Sequence, residues 1–208
     1  MANLKETRNR ITSIRSTMQI TSAMKMVSAA KLKKATDAIT QMRPYAEKLQ
    51  EILENLTSGT EESSDGIYSV VRSEEKILVV AVTSNRGLCG GFNSSITKEC
   101  LSLVSGEYAD KNLSFLCIGK KGGEFLANKG LNVARTEIEI FNDMSFENVA
   151  NLAEQVMAEF VEGQYDKVIL VYNQFRNAAV QDVQNEQFLP LVASESENLS
   201  SNSIDYIY

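Results

Sequence analysis

The stretch KILVVAVTSNRGLCGGFN, residues 76–93, decides the fold of this chain, because it predicts a buried strand, a glycine-rich turn and the start of a helix in succession. The run from Ile77 to Val82 is entirely apolar, which is typical of a strand covered on both faces. Gly87, Gly90 and Gly91 follow, and they suggest positive φ angles or close packing where the strand turns into a helix. This succession is also a context in which proteins bind phosphate groups.

Strands and helices alternate regularly through the following residues. The predicted strands are residues 76–83, 113–119 and 131–139, the apolar 167–173 and a polar strand within 178–191. Helices are expected from a cap at Asn93 or Ser94 to about Val104, across residues 123–128, and over the amphipathic segment around 149–161. Helical crossovers join parallel strands, whereas the last segment alternates like a half-exposed antiparallel edge. We therefore predict an α/β domain, a small mainly parallel sheet flanked by helices with Rossmann-like topology.

A single long helix is predicted ahead of this domain. Residues 1–58 contain no glycine and one proline, Pro44, where a bend is expected. Such a helix would reach roughly 84 Å, whereas a compact domain built from the remaining residues has a radius of gyration of only about 15 Å. We therefore expect a protruding helix at residues 1–58, a polar linker at 59–75 and a globular domain at 76–208.

The apolar pattern of this helix predicts a coiled-coil seam. Positions seven residues apart form two series, which read Leu4, Ile11, Met18, Lys25, Leu32, Ile39 and Thr7, Ile14, Thr21, Ser28, Ala35, Met42. The seam is rich in small and hydroxyl-bearing residues and is interrupted by Lys25. It would therefore pair only modestly with a copy of itself.

Charge is distributed unevenly along the chain, which has a net charge of −6. Residues 1–50 carry ten Lys/Arg against three Asp/Glu, and the remainder carries eleven against twenty-four. Such asymmetry indicates that the two parts face different partners. The basic residues are spread around the helix without interleaved aromatic side chains, so we expect no binding of nucleic acid.

Several functional classes are disfavoured by what the sequence lacks. The chain has no histidine, which removes histidine-based nucleophilic sites and imidazole metal ligands. Three cysteines, Cys89, Cys100 and Cys117, follow neither a disulfide nor a zinc spacing, and we expect buried free thiols. Carboxylates are scattered, so neither a metal nor a cofactor is expected. The longest apolar runs are too short to span a membrane, and the first residues resemble no signal or transit peptide, which predicts a chain on the cytoplasmic side.

The glycine turn matches no phosphate-binding motif fully. GLCGG places Cys89 where the dinucleotide fingerprint requires its second glycine, and GKKGG at residues 119–123 has Lys121 where a Walker loop requires Ser or Thr. We interpret residues 86–91 as a structural turn, in which Arg86 would bind a carboxylate or backbone carbonyls. A nucleotide-binding α/β enzyme that uses this turn remains the alternative.

Four motifs together resemble the gamma subunits of F-type ATP synthases. They are LKETRNRITSIRSTMQITSAMKMVSAAKLKKA at residues 4–35, MRPYAEKL at 42–49, SNRGLCGGFN at 84–93 and IDYIY at 204–208. Their order and spacing are similar to the family pattern across the whole chain. The resemblance implies a rotor subunit without catalytic activity, whose helix turns inside the ring of alpha and beta subunits while its α/β domain sits on the epsilon subunit and the c-ring.

The resemblance also implies roles for particular residues. Met24, Lys25, Val27 and Lys31 correspond to the part of the family shaft that meets the coupling loops of the alpha and beta subunits. Tyr206 and Tyr208 correspond to the motif near the c-ring and epsilon. The implied location is the cytoplasmic face of the bacterial inner membrane, as a peripheral protein without direct insertion.

One departure from the family pattern concerns the end of the sequence. Family members continue into a C-terminal helix that pairs with the first helix, whereas this sequence stops at Tyr208. We therefore expect a truncated form that lacks this helix. Its lone N-terminal helix would fray or associate with the same helix of another copy.

Overall fold

The computed structural model describes residues 3–58 and 66–191. These residues form four α-helices, five strands and one short 3-10 helix. In chain order the elements are α1 (Leu4–Ser58), β1 (Lys76–Val82), α2 (Phe92–Ser105), β2 (Asn112–Ile118), α3 (Lys120–Asn128), β3 (Val133–Glu137), the 3-10 helix (Glu139–Phe141), α4 (Phe146–Val161), β4 (Lys167–Phe175) and β5 (Gln181–Leu189). The chain divides into two compact units, Met1–Leu56 and Thr57–Tyr208.

The first unit is the predicted long helix. α1 continues for 55 residues and includes Pro44 without interruption, which corresponds to about 83 Å at 1.5 Å per residue. Its sequence favours this because it contains no glycine and is rich in Ala, Leu, Met, Lys and Gln. An exposed ion pair between Arg10 and Glu6, one turn apart, slightly stabilises the first turns of α1.

The second unit is built on one sheet with the strand order β3-β2-β1-β4-β5. β1 pairs in parallel with both β2 and β4, β2 pairs in parallel with β3, and β5 closes the edge antiparallel to β4. The mainly parallel sheet with an antiparallel edge strand is therefore confirmed. The chain order reverses direction between β1 and β4, the position at which sheets of this kind commonly bind ligands.

Both faces of the sheet are covered, which explains the uninterrupted apolar run of β1. Ile77, Val79 and Ala81 pack with buried residues of α2 and α3, including Ile96 and Leu126. The alternate residues of the strand pack on the other face against α4. Because successive side chains of a strand point to opposite faces, a strand covered on both sides carries apolar residues at every position.

Within the second unit, Arg72 in the segment before β1 contacts the end of α4. Its guanidinium donates hydrogen bonds to the carbonyl oxygens of Phe160 and Tyr165 at 2.6 and 3.1 Å, and it lies 4.7 Å from the centroid of the Phe160 ring. Phe160 belongs to the last turn of α4, where carbonyl groups have no partner within the helix. Arg72 is therefore an additional donor at the end of α4, where the Phe160 carbonyl oxygen also accepts from the Gly163 amide at 3.0 Å, and its own charge lies over an aromatic face.

Three sequence-based details are wrong at the local level. α2 begins at Phe92 after Gly91, with no side-chain cap, and Asn93 and Ser94 lie inside it. α3 begins at Lys120 rather than near Gly123, because side chains and a carbonyl of the residues that follow β1 accept hydrogen bonds from its first amides. Cys89 is exposed, whereas the expectation of a buried thiol holds for Cys100 and Cys117.

Candidate functional site

Three of the four predicted contact residues on α1 share one stripe of the helix surface. Met24, Val27 and Lys31 follow the i, i+3, i+7 spacing that places side chains above one another on an α-helix. All three are exposed, and Met24 and Val27 show 53% and 58% of their surface. Lys25 is also exposed but lies about 100° away around the helix. The helix therefore groups Met24, Val27 and Lys31 and separates them from Lys25.

Lys25 belongs to the seam, whose apolar members are exposed along α1. These include Ile11, Ile14 and Met18. The hydroxyl of Thr21, between Met18 and Lys25, donates a 2.8 Å hydrogen bond to the carbonyl oxygen of Thr17 within the helix. A threonine bound in this way has its donor satisfied without a partner helix. An apolar surface can therefore pack closely on the seam without leaving the Thr21 hydroxyl group as an unpaired donor.

The glycine turn after β1 has a different geometry from the predicted one. Among its three glycines only Gly90 has a positive φ, 59°, while Leu88 adopts a φ of 62° and is 98% exposed. A Cβ atom at Gly87 would meet no heavy atom within 4 Å, and one at Gly91 only ordinary contacts. The expectation that all three glycines are required by φ or by packing is therefore wrong for Gly87 and Gly91.

Arg86 does not take the role of a ligand within the turn. Its side chain is exposed, and no hydrogen bond or ion pair joins its guanidinium to any residue of 3–58 or 66–191. Its carbonyl oxygen instead accepts a 2.5 Å hydrogen bond from Ser84 Oγ. Together with Leu88 and Cys89, Arg86 forms an exposed tip on an internally bonded turn.

The residues that hold this region are the three immediately before Arg86. Asn85 Oδ1, the Ser84 carbonyl oxygen and Thr83 Oγ1 accept hydrogen bonds from the amides of Lys120, Lys121 and Gly122 at 2.9, 3.1 and 2.9 Å. These are the first three amides of α3, which a helix N-terminus offers to an anion. The chain itself occupies them, so α3 presents no free amide cradle at this point.

Close backbone packing occurs at the second glycine group rather than the first. A Cβ at Gly122 would lie 2.6 Å from Thr83 Oγ1, and one at Gly123 would lie 2.5 Å from Thr136 Oγ1. Gly119 has a φ of 111°, and a Cβ there would collide with the Thr83 carbonyl. Sequence reasoning missed this role of GKKGG, although the placement of glycines directly after a strand, on the first turn of a helix, was the available signal.

Asn93 and Asn173 close the position where the strand order reverses. Asn93 Oδ1 accepts from the Ser84 amide at 2.9 Å, and Asn93 Nδ2 donates to Ser84 Oγ at 2.9 Å. Asn173 of β4 donates through Nδ2 to the Phe92 carbonyl oxygen at 2.9 Å. These bonds tie β1, β4 and α2 together across the crevice that holds a nucleotide in related topologies. The polar groups there are therefore engaged with one another.

The remaining chemistry of the described residues is sparse. Within residues 3–58 and 66–191, no group of Cys, Asp or Glu side chains is arranged to hold a metal ion. None of the described helices is both long and apolar enough to cross a bilayer. Burial raises the pKa of the Cys100 thiol to about 12 and that of Cys117 to about 11, so neither is a thiolate at neutral pH. Tyr206 and Tyr208 lie outside the described residues.

Comparison with known proteins explains the long helix and the small α/β unit together. A family profile described as ATP synthase matches residues 3–208. The ATP synthase gamma chains of Flavobacterium johnsoniae and Flavobacterium psychrophilum are 56% and 53% identical over 208 residues, which is 100% of this chain and 72% of each relative.

Solved structures agree with these relatives. The central stalk of the Tetrahymena thermophila mitochondrial ATP synthase is similar with a TM-score of 0.65 and 32% identity, covering 82% of this chain and 72% of that one. The rotor of the Euglena gracilis enzyme shares the fold at a TM-score of 0.63 and 23% identity, covering 89% and 62%. With a continuous long helix, a five-stranded α/β unit and more than half of the sequence shared with named relatives, the chain belongs to the ATP synthase gamma chain family.

Proposed function

We propose that this chain is the central-stalk rotor subunit of an F-type ATP synthase. In this role it couples ion flow through the membrane sector to ATP synthesis or hydrolysis on the alpha and beta subunits by rotating, and it catalyses no reaction itself. The observation that carries the proposal is α1, a 55-residue helix whose apolar seam is exposed along its length. A helix with such a seam is stabilised in water chiefly by packing against another surface.

The contact with the catalytic subunits is assigned to the stripe formed by Met24, Val27 and Lys31. Two exposed apolar side chains beside a lysine can pack against an apolar loop and attract a carboxylate at the same time. Lys25 points from the seam and would contact a different surface. Rotation couples to catalysis if each angle of the shaft binds one conformation of a beta subunit better than the others, which is a population shift.

The other end of the proposed rotor rests on the resemblance alone. Tyr206 and Tyr208 are assigned to the side that meets the c-ring and the epsilon subunit. The proposed location is the cytoplasmic face of the bacterial inner membrane, where the chain would be held peripherally by those subunits and not by insertion.

Single-molecule observation of the assembled complex tests the proposal. The chain is incorporated with alpha and beta subunits, and a bead is attached at Leu88, a residue of the turn that is 98% exposed. We expect ATP to drive stepwise rotation of the bead in one direction. A chain that joins the complex without rotating during ATP hydrolysis would contradict the proposal.

The alternative function is a nucleotide-binding α/β enzyme that uses the glycine turn at residues 87–91. The occupied amides of α3 and the hydrogen-bonded crevice between β1 and β4 disfavour it, because a phosphate would have to replace several internal hydrogen bonds. Calorimetric titration with ATP, ADP and NAD separates the two functions. Micromolar binding to the isolated chain would favour the enzyme, and the rotor proposal expects no binding.

We also propose that the isolated chain associates weakly with itself through the seam. The exposed side chains of Ile11 and Ile14 support this, and the neighbouring small residues limit its strength. Light scattering at increasing concentration should show dimers that Ile14→Lys abolishes and that Met26→Lys, a change elsewhere on the helix surface, preserves. Strictly monomeric wild-type chain would contradict self-association.

A further inference from the structure

The connection between β3 and α4, together with the first turn of α4, carries exposed apolar side chains that the rotor assignment does not use. We name it the Phe146 patch, and its members are Ile138, Phe141, Met144, Phe146 and Val149. Phe146 shows 90% of its surface and Met144 shows 71%. A phenylalanine this exposed, with four apolar neighbours in the same short segment, is typical of a surface that another molecule covers.

The backbone beneath the patch is held firmly. The Ser145 side chain caps α4 by accepting from the Asn148 amide, and Asn148 Nδ2 donates to the Asp143 carbonyl oxygen at 3.0 Å. Asn85 Nδ2 donates to the Ile138 carbonyl oxygen at 2.9 Å, which ties the start of the segment to the turn after β1. The apolar side chains are therefore presented by a preorganised segment, and binding there costs little ordering of the backbone.

The positions of Met144 and Val149 support the inference that another molecule covers the Phe146 patch. They precede and follow the start of α4 at the two positions of a hydrophobic staple, in which such side chains pack on each other. Both nevertheless remain exposed, Val149 to 47%. The apolar groups are thus directed outward where local packing could have covered them.

The charge around the patch indicates the chemistry of its occupant. From Thr136 to Asp166 the sequence contains eight Asp and Glu residues and no Lys or Arg. Glu139, Asp143 and Glu147 are exposed within or beside the patch. Such a rim repels anionic lipid surfaces and nucleic acids, and it attracts a basic protein surface.

We propose that the Phe146 patch is a docking surface for a basic, apolar-bearing segment of another subunit of the complex. Phe146 and Met144 form the apolar anchor, and the carboxylates of Glu139, Asp143 and Glu147 receive the basic side chains. This surface is distinct in chain position from the Met24, Val27 and Lys31 stripe. The proposal rests on the proposed function only in that the partner is sought within the ATP synthase.

Photo-cross-linking in the assembled complex tests the proposal. A benzophenone amino acid replaces Phe146, and in a control chain it replaces Val180, an exposed valine in the connection to β5 at the opposite edge of the sheet. The cross-linked peptides are identified by mass spectrometry. We expect an adduct from position 146 with another subunit, at a peptide in which Lys and Arg outnumber Asp and Glu, at least fivefold above the yield of that adduct from position 180.

Charge substitutions then test the rim. Glu147→Lys should reduce the adduct at least fivefold and Glu147→Gln by less, whereas Glu162→Lys beyond the end of α4 should leave it unchanged. The melting temperature of Glu162→Lys should match that of the parent, because this side chain is exposed. Glu147 lies in the first turn of α4, where an acid is favourable, so its two variants should melt lower by no more than about 4 °C. Loss of the adduct together with a lowered melting temperature is resolved by Met144→Ser with the cross-linker kept at position 146. This change removes the second anchor side chain at an exposed position, and it should reduce the adduct at least fivefold without unfolding.

Three outcomes would overturn the proposal: no adduct above the control, an adduct with an acidic peptide, or an adduct with this chain or a second copy of it. A complex that assembles and rotates normally in any of these cases would leave the rotor function standing and remove only the docking surface. A chain that is missing from the purified complex would remove both.

Discussion

The side chain of Thr83, the residue after β1, is in direct contact with the backbone of Gly122 in the first turn of α3. Thr83 Oγ1 accepts a hydrogen bond from the Gly122 amide at 2.9 Å, and a Cβ atom on Gly122 would lie only 2.6 Å from the same oxygen. The pair therefore combines a buried polar bond with an approach that only glycine permits. It fixes α3 against the sheet. In other doubly wound α/β proteins, helix amides near the carboxyl ends of the strands are free to bind a phosphate.

The hydrogen bond is tested by Thr83→Val, which keeps the shape of the side chain and removes its oxygen. Thr83 is 1% exposed, so the Gly122 amide would lose its acceptor in a place that water does not reach. We expect the free energy of unfolding to fall by about 1–3 kcal/mol, measured by urea denaturation with tyrosine fluorescence. Ser105→Ala, which removes an exposed hydroxyl at the end of α2, serves as the control and should change it by less than about 0.5 kcal/mol. Equal effects of the two substitutions would contradict the role of Thr83.

The close approach is tested by Gly122→Ala beside Gly87→Ala. The added methyl group at position 122 would overlap both Oγ1 and Cγ2 of Thr83, and we expect a loss of about 1–3 kcal/mol in the free energy of unfolding. At position 87 the methyl group meets no atom, so stability should stay the same or rise by up to about 1 kcal/mol. Thermal denaturation of both variants checks this, and the reverse order of stability would show that the first glycine group is the packed one.

Thiol accessibility separates Cys89 from the other two cysteines. Cys89 is exposed, whereas burial raises the pKa of Cys100 to about 12, which leaves about one thiolate in ten thousand at pH 8. Ellman's reagent should therefore label one thiol in the folded chain and three after denaturation. Rapid labelling of all three in the folded chain would contradict the described packing of α2 on the sheet.

The same two buried thiols predict sensitivity to alkali. Their pKa values in the folded chain, about 12 for Cys100 and about 11 for Cys117, lie above the ordinary value of 9.0. As the pH rises, these thiols therefore lose their protons at a lower pH in the unfolded chain than in the folded chain. The stability that the neutral thiols contribute is complete below pH 9 and is lost progressively between pH 9 and about 12. Urea midpoints across that range should fall with pH.

Sequence patterns predicted the elements well where burial alone determines them. β1 reads as a continuous apolar run because α2 and α3 cover one face and α4 the other. α1 was predictable because it contains no glycine and because every turn contains residues of high helix propensity. The family assignment rests on two motifs in α1, one in the turn after β1 and one at residues 204–208, and it is confirmed by relatives that share more than half of the sequence.

The turn after β1 was predicted less well because its partners are distant in sequence. Asn93 was expected to cap α2. Its side-chain oxygen instead accepts a hydrogen bond from the backbone amide of Ser84, nine residues earlier. The Asn85 side chain accepts a hydrogen bond from the amide of Lys120, and no local sequence pattern predicts a contact between residues 35 positions apart. The roles of individual glycines depend on the same kind of contact. The sequence placed glycines at both turns, but only the folded chain distinguishes Gly90 from Gly87 and Gly91, and shows that Gly122 packs against Thr83.

The most direct test of the rotor account is the coupling efficiency of the assembled complex after substitution on the Met24 stripe. Met24→Arg places a charge between the shaft and the catalytic subunits, whereas Met26→Arg places the same charge about 200° around the helix, at a methionine that is also exposed. The measurement is ATP-driven ion pumping divided by ATP hydrolysis in reconstituted vesicles. The account predicts at least a threefold fall in this ratio for Met24→Arg and little change for Met26→Arg. An unchanged ratio for Met24→Arg would contradict it.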